Sequence, residues 1–242
     1  MSAAFGLAAY RALLGAFRDR GYAVRGFADA APAQRHLILR HDIDYSLDAA
    51  LPMAEMEAEL GCHAAYFVLV RSAFYNPAAP DGARVLARLA ALGHEIGLHF
   101  DAALYENDGG ALDAAAAREC ALLEHMTGTP VATISFHRPA PALLGRSGAL
   151  GGRRHAYEPR FFTEMGYCSD SGGAWHRGAP LDHPAVADGR ALQLLTHPIW
   201  WQDPPTEPAK RLARFLADHA CRLDRELAAH SAVHADTKRR TP

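Results

Sequence analysis

A chain of 242 residues, half of them hydrophobic and 21% charged, with a formal net charge of −2, has the length of one barrel-sized domain or two small ones and can bury a sizeable core. That charge balance gives no general attraction for nucleic acid, and no apolar run approaches the ~18 residues of a membrane span. Cys62, Cys120, Cys168 and Cys221 show no paired spacing, which argues against a zinc ribbon or a disulfide framework.

The opening segment, MSAAFGLAAYRALLGAFRDRG, is interrupted by Arg11, Arg18, Asp19 and Arg20 and lacks the uncharged core and cleavage site of a signal peptide. Tyr10, Leu13, Leu14 and Phe17 fall on one helical face, with Gly21 placed to stop it. An amphipathic first helix and a cytoplasmic protein are expected. HLILRHD then predicts a buried strand, and SLDAALPMAEMEAELG a helix with Leu47, Ala50, Leu51, Ala54 and Ala58 on one face. AAYFVLV reads as strand, PDGARVLARLAALG as helix, HEIGLHF as strand and GALDAAAARECALLEHMTG as helix. VATISFHR, GYCSDS and ALQLLTHPIWW supply three more strands. Strands that begin about 30 residues apart with helices between them are the rhythm of βαβ units, so an α/β fold with a mostly parallel sheet, open or closed, is expected.

Pro139 to Pro159, rich in Gly, Arg, Pro and Ala without a firm period, reads as a long loop over the site face. After DPPTEP, the segment AKRLARFLADHACRLDRELAAH is a last amphipathic helix, and ADTKRRTP is expected to be disordered. The organisation predicted is one domain over 1–230 and a tail over 231–242.

In parallel α/β architectures the functional residues gather at the carboxyl ends of the strands. Here the first strand ends in Asp42 and Asp44, which alternation puts on one face, with His41 and Ile43 on the other. Two such carboxylates repel each other and are tolerated where a cation or an arginine compensates. The third strand ends in His99 with Asp101 two residues on, the fourth in His137 and Arg138; the fifth carries Asp170, and the sixth ends in His197. Five strands ending in ionisable residues point to a shared pocket. Carboxylates and imidazoles without thiolates are the donors of a catalytic zinc or similar divalent ion. Read singly, each residue has a plainer role: a strand-end histidine as a hydrogen-bonding partner, Asp170 in SDSGG as an Asx turn, Asp101 as a cap.

The succession of RHDID, AAYFVLV, GHEIGLH, an Arg-Pro step, an Asp…Trp segment and a Leu-rich strand ending in His resembles the polysaccharide deacetylases of carbohydrate esterase family four, from about Leu37 to Trp201. RHDID, SFHRP, YCSDSGGAW and THPIWW resemble a divergent branch associated with bacterial O-antigen and other surface-polysaccharide biosynthesis. The resemblance implies a distorted, incomplete (β/α) barrel of about seven strands with one divalent metal ion, commonly zinc. It implies Asp42 as catalytic base, Asp44 as metal ligand, and His99 as the first histidine of a metal pair. It implies Arg138, with Pro139, as the guanidinium that holds the base, Asp170 and Trp175 as a fourth motif, and His197 as general acid. Two departures stand out. Ile43 separates aspartates that the family has adjacent, and Ala103 stands where the second metal histidine belongs. A third ligand must then come from His137, from Asp101, which shares a face with His99, or from His197.

The chemistry implied is removal of an N-acyl group, N-acetyl first, from an amino-sugar-containing glycan or sugar precursor. Trp175, Trp200 and Asp101 are expected against the substrate, although Trp200 and Trp201 can equally pack under the last helix. Two other readings are hydrolysis of another amide or formamide on a glycan precursor, and a sugar-binding protein without turnover. Sequence leaves the oligomeric state open.

Overall fold

Helix and strand alternate along the chain as the 30-residue rhythm predicts. The computed structural model describes residues 5–105 and 109–234, and its contacts divide the chain into a unit of residues 1–205 and one of residues 206–242. The first unit runs α1 (Leu7–Asp19), β1 (Ala23–Val24), β2 (His36–Ile43), α2 (Leu51–Glu59), β3 (Ala65–Val68), α3 (Pro80–Ala91), β4 (Glu95–Phe100), α4 (Gly109–Thr127), β5 (Thr133–Phe136), β6 (Arg154–His155), α5 (Pro159–Phe162), β7 (Gly166–Ser169), α6 (Pro184–Ala187) and β8 (Leu192–Thr196). The second unit carries one long helix, α7 (Pro208–His230), on which Leu216, Leu223 and Leu227 are exposed. Residues 235–242, most of the expected tail, lie outside the described residues. No described helix is long and apolar enough to cross a membrane.

All strand pairs are parallel, in the order β6-β5-β4-β3-β2-β8-β7 with β1 beside the start of β2. The sheet is curled into a distorted, incomplete barrel whose path ends at β6 and β7. Part of the Pro139–Pro159 stretch, expected to be loop, is strand β6, where Arg154 and His155 pair with Thr133 and Ile134. Two residues are too few to show a period.

β2 is buried along its whole length, as a parallel strand covered on both faces must be. Its alternation sorts the side chains. Ile38 packs inside with Phe27, Phe67 and Phe161, and Arg40 and Asp42 continue that inner row. Gly97 on β4 makes room for the Phe67 ring, since a Cβ there would sit 2.4 Å from that ring and 2.8 Å from the Thr133 carbonyl oxygen.

The outer row of β2 carries His41, which meets a buried carboxylate. Glu57 on α2 accepts hydrogen bonds from the Tyr10 hydroxyl at 2.6 Å and the Tyr66 hydroxyl at 2.7 Å, and lies 2.8 Å from His41 Nε2. His41 Nδ1 is 2.7 Å from Thr196 Oγ1 on β8. One carboxylate therefore ties α1, α2, β2 and β3 together. Burial opposes its ionisation, but His41 and the two phenols hold it below the ordinary carboxylate value. Such a group contributes stability above its unfolded-state pKa of about 4.3, and that contribution is lost as pH falls through the folded value. Glu57→Gln is expected to destabilise the fold by about 3 kcal/mol at pH 7, measured by urea denaturation. The gap between the two proteins should narrow in acid, where Glu57 is itself protonated; a gap independent of pH would show that its charge is not what stabilises the fold.

Candidate active site

Three side chains from three strand ends converge. Asp44 follows β2, His99 lies on β4 and His137 follows β5, and one donor atom from each falls within 4.8 Å of the others. His99 Nε2 is 3.0 Å and His137 Nδ1 3.3 Å from the same Asp44 oxygen, Oδ1. The two imidazole rings stand 5.0 Å apart at 74°. Burial alone would raise the pKa of Asp44, but the facing His137 and His99 hold it far below the usual carboxylate range.

Asp42 lies on the other side of His99. Arg40 reaches it with two parallel hydrogen bonds, Nε to Oδ1 at 3.0 Å and Nη2 to Oδ2 at 2.8 Å. Both groups are buried. The Ser135 hydroxyl donates to the same carboxylate at 3.0–3.1 Å, accepts from Arg40 Nη2 at 2.6 Å, and lies 3.2 Å from His99 Nδ1. Burial opposes ionisation of Asp42, and the Arg40 guanidinium more than reverses this. Arg40 is in turn held firmly charged.

These partners assign the proton on His99. A serine hydroxyl has one hydrogen, and the ionised Asp42 is the stronger acceptor for it. Ser135 then accepts from His99 Nδ1–H, which leaves the Nε2 lone pair facing the Asp44 carboxylate at 3.0 Å. Two acceptors that close repel unless a cation lies between them or the ring takes a second proton. One carboxylate and two imidazoles fit a divalent ion with open positions, and an Nδ1–H held by an outer acceptor is how metal-bound histidines are oriented.

A second carboxylate–imidazole pair adjoins the first. Asp170, fully buried after β7, lies 2.6 Å from His197 Nδ1, accepts from the His197 backbone N–H at 3.1 Å, and accepts from the Trp201 indole N–H at 2.7 Å. His197 Nε2 is 3.9 Å from Asp44 Oδ2. Burial by itself would lower the pKa of His197, but Asp170, helped by Asp44 and Asp42, pushes it up to about 9.

Several sequence-derived assignments look different in three dimensions. The guanidinium on Asp42 belongs to Arg40, whereas Arg138 is 68% exposed and pairs with Asp101. Asp101 caps the turn that follows β4 by accepting from the Ala103 backbone N–H, so its oxygens are occupied and it is not among the three converging donors. Trp200, expected as a sugar platform, is only 6% exposed and so presents little ring surface. Trp175 is half-buried, 6.1 Å from Trp201 and 5.8 Å from Phe5. Sequence reasoning passed over Arg40, Ser135 and Trp201 as supports of the site. Arg40 carried a usable signal, because it shares the inner face of β2 with Asp42.

No protein-family model matches the chain, and no curated protein matches it. Among solved structures, the chain is similar to the chitin deacetylase from the fungal pathogen Colletotrichum lindemuthianum, at 14% identity and a TM-score of 0.47, covering 78% of this chain and 85% of that one. It is also similar to a family 4 carbohydrate esterase from Bacillus anthracis, at 14% identity and a TM-score of 0.44, with coverage of 87% and 86%. A family 4 pseudoenzyme from Bacillus anthracis matches at 12% identity and a TM-score of 0.38, with coverage of 81% and 66%.

Proposed function

We propose that the chain is a metal-dependent hydrolase that removes an N-acyl group, N-acetyl first, from an amino sugar. The observation that carries this reading is the convergence of donor atoms from Asp44, His99 and His137 within 4.8 Å of one another, with the Asp170-held imidazole of His197 at the edge of the cluster. Asp44, His99 and His137 would hold the ion, and zinc suits this donor set. Such an ion supplies Lewis acidity, polarising an acyl carbonyl and lowering the pKa of water.

The chain's own residues handle the protons. Among the described residues, His197 is the acid–base side chain whose outer nitrogen adjoins the three converging donors. As imidazolium, the form that Asp170 favours, it gives its proton to the nitrogen leaving as the C–N bond breaks, and the imidazole so formed is recharged by the proton of the next attacking water. Asp170 holds its Nδ1–H and stabilises the charged form. Asp42 serves in this scheme as the residue that orients His99 through Ser135, in place of the base role that the family resemblance implies. Its oxygens are engaged on the Nδ1 side of the ring, away from the Nε2 edge that meets Asp44. The resemblance of RHDID, SFHRP and THPIWW supports a substrate among precursors of bacterial surface polysaccharide, O-antigen included, acted on in the cytoplasm. Ala103 in place of a second helical histidine is the feature that favours sugar binding without turnover, and wild-type protein that takes up metal yet releases no acetate from any acetamido sugar would decide for it.

Three measurements follow from this scheme. Asp44→Ala is expected to remove stoichiometric metal, read by elemental analysis of the purified protein; full occupancy in that variant would place the ion elsewhere. Ser135→Ala and Asp42→Asn are expected to weaken zinc affinity about 10- to 100-fold in competition with a chelator. Unchanged affinity with a loss confined to kcat would return Asp42 to the part of base. His197→Ala should keep its metal and lose about two or more orders of magnitude in turnover on an acetamido sugar, but less on an activated acetate ester, whose leaving group needs no proton. Metal lost along with activity would make His197 a ligand.

A further inference from the structure

A cavity of about 270 Å³ opens at the other end of the barrel, lined by Arg20, Tyr22, Arg35, Leu181, Val186 and Ala187. These residues come from the turn after α1, the position before β2, and α6 with its approach. Arg35 stands immediately before β2 and the ligand Asp44 immediately after it, so the two are about 30 Å apart along the strand.

Arg35 is held in place over this cavity. Its Nη1 donates to the Arg20 carbonyl oxygen at 3.1 Å, and its Cζ lies 5.9 Å from the centroid of the Tyr22 ring. Tyr22 is fixed in turn, because its hydroxyl donates to the Arg190 carbonyl at 2.8 Å. Gly189, at φ 66°, leaves space for the same guanidinium: a Cβ there would lie 2.8 Å from Arg35 Nη2. Arg20 Nη1 donates to the Ala16 carbonyl at 2.9 Å.

An arginine that meets the free carbonyls of a helix end is ordinary, and such a bond uses one of the five N–H groups of a guanidinium. What exceeds that role is two guanidiniums over one cavity with no carboxylate between them. Asp19, Asp182 and Asp188 adjoin lining residues in sequence, but all three are exposed and none forms an ion pair with Arg20 or Arg35. Around the same end of the barrel Arg25, Arg160 and Arg190 also donate to neutral oxygens, those of Gln34, Ala30 and Glu164. Five arginines without an ion-pair partner among the described residues make a local positive field in a chain whose formal net charge is −2. The uncommitted N–H groups of Arg20 and Arg35 suit phosphate oxygens, which a guanidinium fork binds in pairs. Leu181, Val186 and Ala187 add an apolar wall that a bare oxyanion would leave uncovered. The volume lies just under the ~300 Å³ at which small-molecule pockets begin, which suits a compact ligand and not a long glycan.

We propose that this cavity binds a small phosphate monoester, its phosphate between Arg20 and Arg35 and its organic group against Leu181 and Val186. The site lies at the opposite ends of the strands from the three converging donors, and its assignment does not depend on the hydrolase reading.

The test titrates phenyl phosphate and inorganic phosphate into zinc-loaded protein at fixed ionic strength, followed by calorimetry. Phenyl phosphate is expected to bind about threefold or more tighter than inorganic phosphate, through its apolar ring. Arg20→Gln and Arg35→Gln are each expected to weaken phenyl phosphate about tenfold or more, while Arg25→Gln, outside the cavity, leaves its affinity unchanged. Circular dichroism reports on folding, and the exposed Arg20 keeps the test open if Arg35→Gln fails to fold. An equal loss in Arg25→Gln reduces the effect to diffuse attraction and overturns the site. Affinity kept in the Arg20 and Arg35 variants but lost in Asp44→Ala places the anion at the metal centre and also overturns it, as does wild-type protein that binds neither probe. Equal affinity for the two probes overturns the monoester. Phosphatidylcholine vesicles containing phosphatidic acid, whose headgroup is itself a phosphate monoester, distinguish the source of the ligand. Co-sedimentation that both arginine variants abolish assigns the site to a lipid headgroup, and phenyl phosphate binding without co-sedimentation assigns it to a soluble monoester.

Discussion

The inner half of this barrel is organised around one guanidinium that never meets water. Arg40 is 0% exposed, and a buried charge without partners would cost several kcal/mol. Every polar neighbour it has is therefore a structural requirement. Asp42 takes two of its hydrogen bonds, Ser135 and Tyr157 share Nη2, and Gln193 accepts from Nη1. Gln193 is fixed in turn by donating to the carbonyls of Ala156 and Phe161. The pair thus ties β2, β5, β8 and the segment after β6 into one arrangement. Burial and charge act together here. Arg40 keeps Asp42 ionised, and the ionised Asp42 makes the burial of Arg40 tolerable.

The consequence for chemistry is transmitted by Ser135. Its hydroxyl is committed to Asp42 as donor and to Arg40 as acceptor, so His99 presents Nδ1–H to it and turns Nε2 toward Asp44. The same logic recurs on the far side of the site, where Asp170 takes the Nδ1 side of His197 and leaves Nε2 outward. Trp201 completes that second pair with its indole N–H, and its ring packs against Phe5, Tyr10 and Trp175. Tyr10 also reaches Glu57 through its hydroxyl. The first helix thus does two things at once: it closes the outer face of β2 and it braces the tryptophan that holds Asp170.

How much of this could be read from the sequence depends on range. The strands β2, β3, β4, β5, β7 and β8 announce themselves as apolar runs separated by amphipathic helices, and the ionisable residues at their ends are visible without coordinates. β1 and β6 are two residues long and leave no trace. Within the site, the inner face of β2 was legible from alternation alone, which puts Arg40, Asp42 and Asp44 in one row. Which arginine meets which aspartate was not. Arg138 and Arg40 are each sensible partners for Asp42 on paper, and only the folded chain sends one to Asp101. Ser135 and Gln193 are neutral residues within apolar strands and carry no signature of the charges they serve. Trp200 and Trp201 are adjacent and chemically identical, and their surroundings alone decide that Trp201 supplies the hydrogen bond to Asp170.

The residue between the two aspartates has a geometric reason. An imidazole has a nitrogen on each of two edges, and Asp42 and Asp44 attend to opposite ones, at 3.8 Å from Nδ1 and 3.0 Å from Nε2 of His99. Side chains two apart on a strand share a face and are separated by about 6.8 Å along it, which is room for one ring edge to edge. Adjacent carboxylates would point to opposite faces. One of them would then enter the outer layer, where Glu57 already lies buried beside His41, and two carboxylates there would repel without a cation to join them. Ile43 instead adds an apolar side chain to that layer and keeps both charges inside. The same spacing accounts for the third donor. His99 pairs in register with Ser135, so the residue two further along β5, His137, arrives beside Asp44 without any helical partner for His99.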